Sequence, residues 1–152
     1  MKNTEDSARG SSRGIMNILS SVLILIGSAS SVGFGVWHLF VPKIWKWYSY
    51  IQKDATELIL AVRAINVFFS VSLILFGLLG CLITLGNKAD KYASVLILSS
   101  LTIIWLLRVI MQIVYPQGSL NKYIQYGMLS AFFITFLCYA ITLIIIIKGN
   151  NG

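Results

Sequence analysis

Four runs of more than twenty residues pass with almost no formal charge, and that decides what this chain can fold into. Ile15 to Phe40 and Tyr123 to Ile147 carry none, a run from about 60 to 85 carries only Arg63 near its foot, and Tyr92 to Tyr115 carries only Arg108. A helix rises about 1.5 Å per residue, so roughly 20 apolar residues cross a hydrocarbon core of about 30 Å, where the backbone must bond to itself. The runs lack the alternation of a transmembrane barrel strand. The sequence therefore predicts an all-α integral membrane protein, a four-helix up-down-up-down bundle over residues 15–148, with spans at about 15–40, 60–85, 92–115 and 123–147. With 57% apolar and 11% charged residues and a mean hydropathy of +0.83, the composition excludes an ordinary soluble domain.

The connections support that order. Gly86 to Lys91 and Pro116 to Lys122 are short polar turns, and short turns force antiparallel neighbours. The first connection is longer: Val41 to Glu57 reads VPKIWKWYSYIQKDATE. Pro42 is expected to end the first span. Drawn as a helix, the segment places Lys43, Lys46 and Lys53 on one side and Ile44, Tyr48 and Ile51 on another, which describes an amphipathic stretch in the headgroup plane. Trp45, Trp47 and Tyr48 are its interfacial anchors. Residues 1–14, rich in Ser, Gly and charge, read as a disordered polar tail. Lys2, Arg9 and Arg13 ahead of an apolar stretch, followed by Gly27 to Ser31, also resemble a cleavable secretory signal. Apolar character continuing through Val32, Phe34, Val36, Trp37 and Phe40 favours a full span.

The net charge is +7. In a soluble protein that would raise nucleic acid as a partner, but ten of the twelve cations lie in tails, connections or span edges, where they meet anionic headgroups. Nucleic acid is therefore not an expected partner. The N-terminal segment, the Lys88 to Lys91 turn and Lys148 put six cations on one side, against Lys43, Lys46, Lys53 and Lys122 on the other. That bias sets both termini in the cytoplasm. Abundant isoleucine, with lysine and asparagine in the polar parts, points to an AT-rich bacterial or archaeal genome.

Lipid tails are as apolar as leucine, so small or polar stripes mark the inward faces of membrane helices. The first span aligns Gly27, Ser31, Gly35 and His38; the second Arg63, Asn66, Ser70 and Gly77; the third Trp105, Arg108 and Gln112; the fourth Gly127, Ala131, Thr135, Cys138 and Thr142. The Gly-x3-Ser-x3-Gly part of the first stripe suits packing inside the bundle or dimerisation equally. Cys81 and Cys138 form no Cys-x-x-Cys and read as small buried thiols.

Depth carries more information than alignment. His38 near the end of the first span, Arg63 and Asn66 near the start of the second, and Arg108 and Gln112 in the last third of the third all come to one side of an up-down bundle. These five residues are the candidate ligand-binding cluster. A mid-bilayer arginine costs about 2.5 to 3.5 kcal/mol or more unless it snorkels or is paired. No span contains an acid. Either Asp54 and Glu57 reach up to pair with Arg63 and Arg108, or an outside anion such as a lipid phosphate or carboxylate completes the site.

A single histidine, His38, excludes bis-histidine haem, a histidine-rich metal cluster and a standard catalytic triad, so no cofactor and no metal are expected. A proton path would need intramembrane carboxylates. Their absence argues against a proton-coupled transporter of the small multidrug type.

His38-x3-Pro42, Trp45, Arg63, Asn66 and Trp105-x2-Arg108-x3-Gln112 give the chain, over roughly residues 30 to 115, a pattern that resembles a loose group of small bacterial four-span membrane proteins. That resemblance implies a fold and assigns no activity. The leading expectation is a non-enzymatic module holding an anionic lipid headgroup or similar amphiphile at the five-residue cluster. A second is a partner-binding protein, either a subunit of a membrane complex or a bacteriocin-type immunity protein; membrane lipid, a second copy of the chain or another membrane protein are the expected partners. A lipid-modifying enzyme is third, with His38 and Glu57 as its only acid-base pair.

Overall fold

The computed structural model describes residues 2–86, 90–118 and 121–148. Four helices account for nearly all of them: α1, Lys2–Ile44; α2, Thr56–Gly86; α3, Lys91–Val114; and α4, Lys122–Lys148. Each contains a stretch long and apolar enough to cross a membrane, beginning at Asn17 in α1 and at Thr56, Lys91 and Lys122 in the others. The helical backbone of α1 begins well ahead of that apolar stretch, at Lys2, through the residues whose composition reads as a tail.

α1 is the spine of the bundle. It packs along α2 and along α4, and α3 packs along α4. Consecutive in the chain, α2 and α3 touch at only a few points, so the ring of helices is left with one loose seam.

The α1 interface with α2 is made by removing side chains. A Cβ placed on Gly35 would stand 2.7 Å from the Ser70 carbonyl oxygen and 2.8 Å from the Ile74 side chain. One on Gly77 would stand 2.8 Å from the Ser28 carbonyl oxygen. Only glycine lets the backbones approach so closely. Against α4, a Cβ on Gly27 would press on the Tyr139 ring, 2.9 Å away. Gly27, Ser31 and Gly35 thus pack within the chain, against α2 and α4.

Four of the buried hydroxyls bond locally, while Ser20 and Ser28 Oγ are buried without a hydrogen bond. Ser31 Oγ donates to the Gly27 carbonyl at 2.9 Å, Ser70 to Asn66 at 2.7 Å, Thr135 to Ala131 at 2.8 Å and Thr142 to Cys138 at 2.8 Å. Each reaches one turn back along its own helix, so a hydroxyl can sit in an apolar span without an exposed dipole. Outside, leucine, isoleucine and phenylalanine side chains such as Ile18, Phe68, Leu82, Ile103 and Ile113 stand exposed, as a lipid-facing surface requires.

Three expectations are corrected. Pro42 does not end α1, which runs on to Ile44 with Val41 and Pro42 buried, and closes where Lys46 turns left-handed at φ 51°. That left-handed residue ends the helical register in which the lysines of the first connection were expected to share a face; Lys43, Lys46 and Lys53 are all exposed. The aromatic and basic segment exists as a single 3-10 turn, Trp47–Tyr50, followed by extended chain at Ile51. On α4 the inward face is Phe132, Thr135, Cys138, Tyr139 and Thr142, while Ala131 and Gly127 face out. Cys138 is buried but Cys81 is only half-buried, and both are free thiols.

Gly35→Ala should therefore lower stability by about 1–3 kcal/mol, because backbone rather than a flexible side chain must give way. Gly33 has nothing within 4 Å of its Cβ position. Gly33→Ala should be neutral or stabilise by up to about 1 kcal/mol. Thermal unfolding of the two variants in the same detergent checks the contrast.

Candidate functional site

The polar side chains of the spans gather at the end that carries the Trp47–Tyr50 turn and the Pro116 turn, and at mid-depth. The deeper group is a hub at Ser31. Its Oγ accepts the Trp105 indole N–H at 3.0 Å and lies 3.0 Å from the Tyr139 hydroxyl. One α1 hydroxyl thereby pins α3 and α4. Trp105 and Tyr139 are 2% and 0% exposed, so each finds there the partner that a buried indole or phenol needs. Tyr139 was hidden in an apolar run; a lone phenol in mid-span was the available clue.

Nearer the membrane face, α1 and α2 bring His38 and Asn66 together. The imidazole Nδ1–H donates to Asn66 Oδ1 at 2.7 Å, which leaves Nε2 with the lone pair in the neutral ring. Three rings wall the imidazole: Phe69 at 4.8 Å, Trp47 at 6.0 Å and Phe34 at 6.4 Å between centroids. His38 thus pairs with an amide and not with Glu57.

A second pair of side chains comes from α3 and the turn after it. Arg108 Nη2 donates to Gln117 Oε1 at 2.6 Å, and Gln112 Nε2 donates to the Gln117 backbone oxygen at 3.0 Å. Pro116 and left-handed Gly118, at φ 75°, flank Gln117 and fold this turn back onto α3. The guanidinium carbon lies 4.6 Å from the Phe132 ring centroid and 5.9 Å from that of Phe34. Desolvated cation–π contacts of this kind contribute up to about 2 kcal/mol. Arg108's partners among the described residues are an amide oxygen and two rings, with no carboxylate among them.

Two polar atoms remain buried and unbonded here, Arg108 Nε and Gln112 Oε1. Gln112 is 1% exposed. Buried polar atoms without partners are uncommon in proteins and mark places where something further can bind.

Of the five candidate residues, then, the structure joins His38 with Asn66, and Arg108 with Gln112 through Gln117. The Phe34 and Phe69 rings stand between the two pairs. Arg63 belongs to neither: it is exposed, and its guanidinium rests 5.6 Å from the Tyr48 ring centroid in the first connection. Trp47 touches His38, as above, so two of the three expected anchors, Trp47 and Tyr48, also brace polar groups; Trp45 is half-buried. Gln117 is the residue that sequence could not offer, since between Pro116 and Gly118 it reads as turn.

Arg108 also lines a cleft of about 300 Å³ in the loose α2/α3 seam. Phe69 and Leu73 form the α2 wall, Ile104, Leu107 and Met111 the α3 wall, with Phe34 and Trp105 at the α1 and α3 side. Since the Trp105 N–H is spent on Ser31, Arg108 is the polar group this cleft has to offer.

The hub yields a graded expectation. Ser31→Ala removes the shared partner of Tyr139 and Trp105 and should cost about 1–3 kcal/mol. Tyr139→Phe removes one bond and leaves no donor stranded, and should cost nearer 0.6 kcal/mol. Thermal melts of both variants in detergent test that order.

No family model, no curated protein and no solved structure matches this chain.

Proposed function

We propose that this protein is a non-enzymatic membrane module that holds the acidic headgroup of a lipid or similar amphiphile at Arg108. One observation carries the reading: a half-buried arginine on the wall of an apolar cleft, with its Nε–H enclosed and unbonded and a neutral amide where a carboxylate would neutralise it. Arginine presents its donors as a rigid fork that matches carboxylate or phosphate oxygens in pairs. Gln117 fills one prong. An anionic group that displaces the Gln117 side chain reaches the enclosed, unbonded Nε–H and supplies the missing negative charge. Gln112 adjoins the position through the Gln117 turn, and the His38–Asn66 pair lies beyond the Phe34 and Phe69 rings; Arg63, exposed beside Tyr48, draws acidic headgroups to that face of the membrane. The six-against-four cation bias supports a setting in which this site lies on the outer face of a bacterial or archaeal cell membrane and both termini lie in the cytoplasm.

Native mass spectrometry of the full chain released from detergent, with phosphatidylglycerol added, tests the reading. Arg108→Leu should retain lipid about tenfold less well than wild type, the loss of one charge-assisted bond. Arg108→Lys should fall between them, as a point charge without the fork. Equal retention by wild type and Arg108→Leu would remove the proposal.

Gln117→Glu tests it from the other side. A carboxylate supplied from within the chain should raise the melting temperature and lower lipid retention together, as an internal competitor. Lipid retention unchanged in this variant would count against an anion position at Arg108.

A further inference from the structure

The site's polar end and its apolar end, taken together, restrict which anionic amphiphile it suits. We infer that the ligand is a long-chain monocarboxylic acid, of the free fatty acid class, whose chain enters the α2/α3 cleft sideways from the bilayer and whose carboxylate meets Arg108. This rests on the headgroup reading above and narrows it.

Access is the first argument. Leu107 and Met111 line the cleft and are 55% and 49% exposed, so the cleft opens through the outer surface of the bundle, where acyl chains lie, and not only toward water. Leu73, Phe69 and Ile104 continue it inward with apolar surface alone. Such a wall rewards a hydrocarbon chain and gives a sugar or nucleotide nothing to bond.

Depth is the second. Arg108 lies six residues before the last residue of α3, which is about 9 Å below the helix end. A phospholipid phosphate would have to leave the headgroup layer and descend to that depth with its glycerol and a second chain attached. A carboxylic acid can cross hydrocarbon in its neutral form and, beside the guanidinium, release its proton to solvent at the exposed Gln117 turn. Carboxylates also match two adjacent N–H donors, and Arg108 has Nε–H unbonded beside Nη2, whose present partner is the uncharged and displaceable Gln117 amide.

Size is the third. A cleft of about 300 Å³ stands at the low end of small-molecule sites. It admits one chain segment between two helices and leaves no place for a second.

The test uses the purified full chain, stripped of lipid in a non-ionic detergent, and equilibrium binding of palmitate, methyl palmitate, acetate and phosphatidylglycerol. Palmitate should bind with the methyl ester and acetate each weaker by about tenfold or more, since one lacks the charge and the other the chain. Leu107→Trp and Met111→Trp, at exposed positions on the cleft rim, should weaken palmitate by about tenfold while Arg108 is intact. A palmitate carrying a mid-chain diazirine should label the wild-type chain within residues 69–73 and 104–111, a readout that needs no variant to fold. Palmitate binding no tighter than its methyl ester, or label spread over the outer faces of α1 and α4, would overturn the inference. If phosphatidylglycerol binds in an Arg108-dependent way and palmitate fails to displace it, the headgroup reading stands and the fatty acid assignment falls. If neither binds in an Arg108-dependent way, both fall.

Discussion

Within hydrocarbon, an apolar side chain gains almost nothing by leaving lipid for protein, so helices must be held by close backbone approach and by hydrogen bonds across their faces. In this protein α1 supplies both. Its glycines let α2 and the Tyr139 ring of α4 come up against its backbone, and Ser31 bonds to side chains of α3 and α4 at once. A hydroxyl that already donates to its own helix has lone pairs left for other helices. That spare accepting capacity makes one serine the meeting point of three helices.

What α1 gathers, α2 and α3 do not repeat. Neither has a small-residue stripe facing the other, and large side chains, Phe69 and Leu73 against Ile104, Leu107 and Met111, keep their axes apart. The seam follows from where glycine is spent. Arg108 tolerates its place because the gap gives the guanidinium room between Phe34 and Phe132, and because the Pro116 turn folds Gln117 down to it.

The spans were legible because length and hydropathy are properties of a run, and lipid tests nothing else along a helix. The inward faces of α1, α2 and α3 were legible where small or polar residues marked them, at Gly35, Ser70 and Gln112 for example. On α4 that signal failed halfway: Phe132 and Ala131 are equally at home in lipid, so composition cannot say which turns inward. Arg63 was misplaced for another reason. It sits on an exposed face of α2, where its long side chain lies over the ring of Tyr48 instead of turning into the bundle. The loose seam was invisible as well, since a short turn between α2 and α3 predicts that they are neighbours and not how closely they pack.

The choice of an amide to face Arg108 is the feature that gives the arrangement a direction. A carboxylate at position 117 would neutralise the guanidinium, satisfy its fork and close the cleft's polar end as a finished structural pair. Glutamine does half of this. It supplies one acceptor, which lets the arginine be held in place, and it adds no charge, so the field at the cleft remains positive. An uncompensated cation partly withdrawn from water attracts an anion more strongly than the same cation fully in water, because less solvent screens it. Gln112, whose amide donates to the Gln117 backbone and leaves its own Oε1 unbonded, holds the turn without competing for the guanidinium. The turn is thereby fixed by its backbone while its side chain stays exchangeable, which is the division of labour that a site for an incoming acid requires.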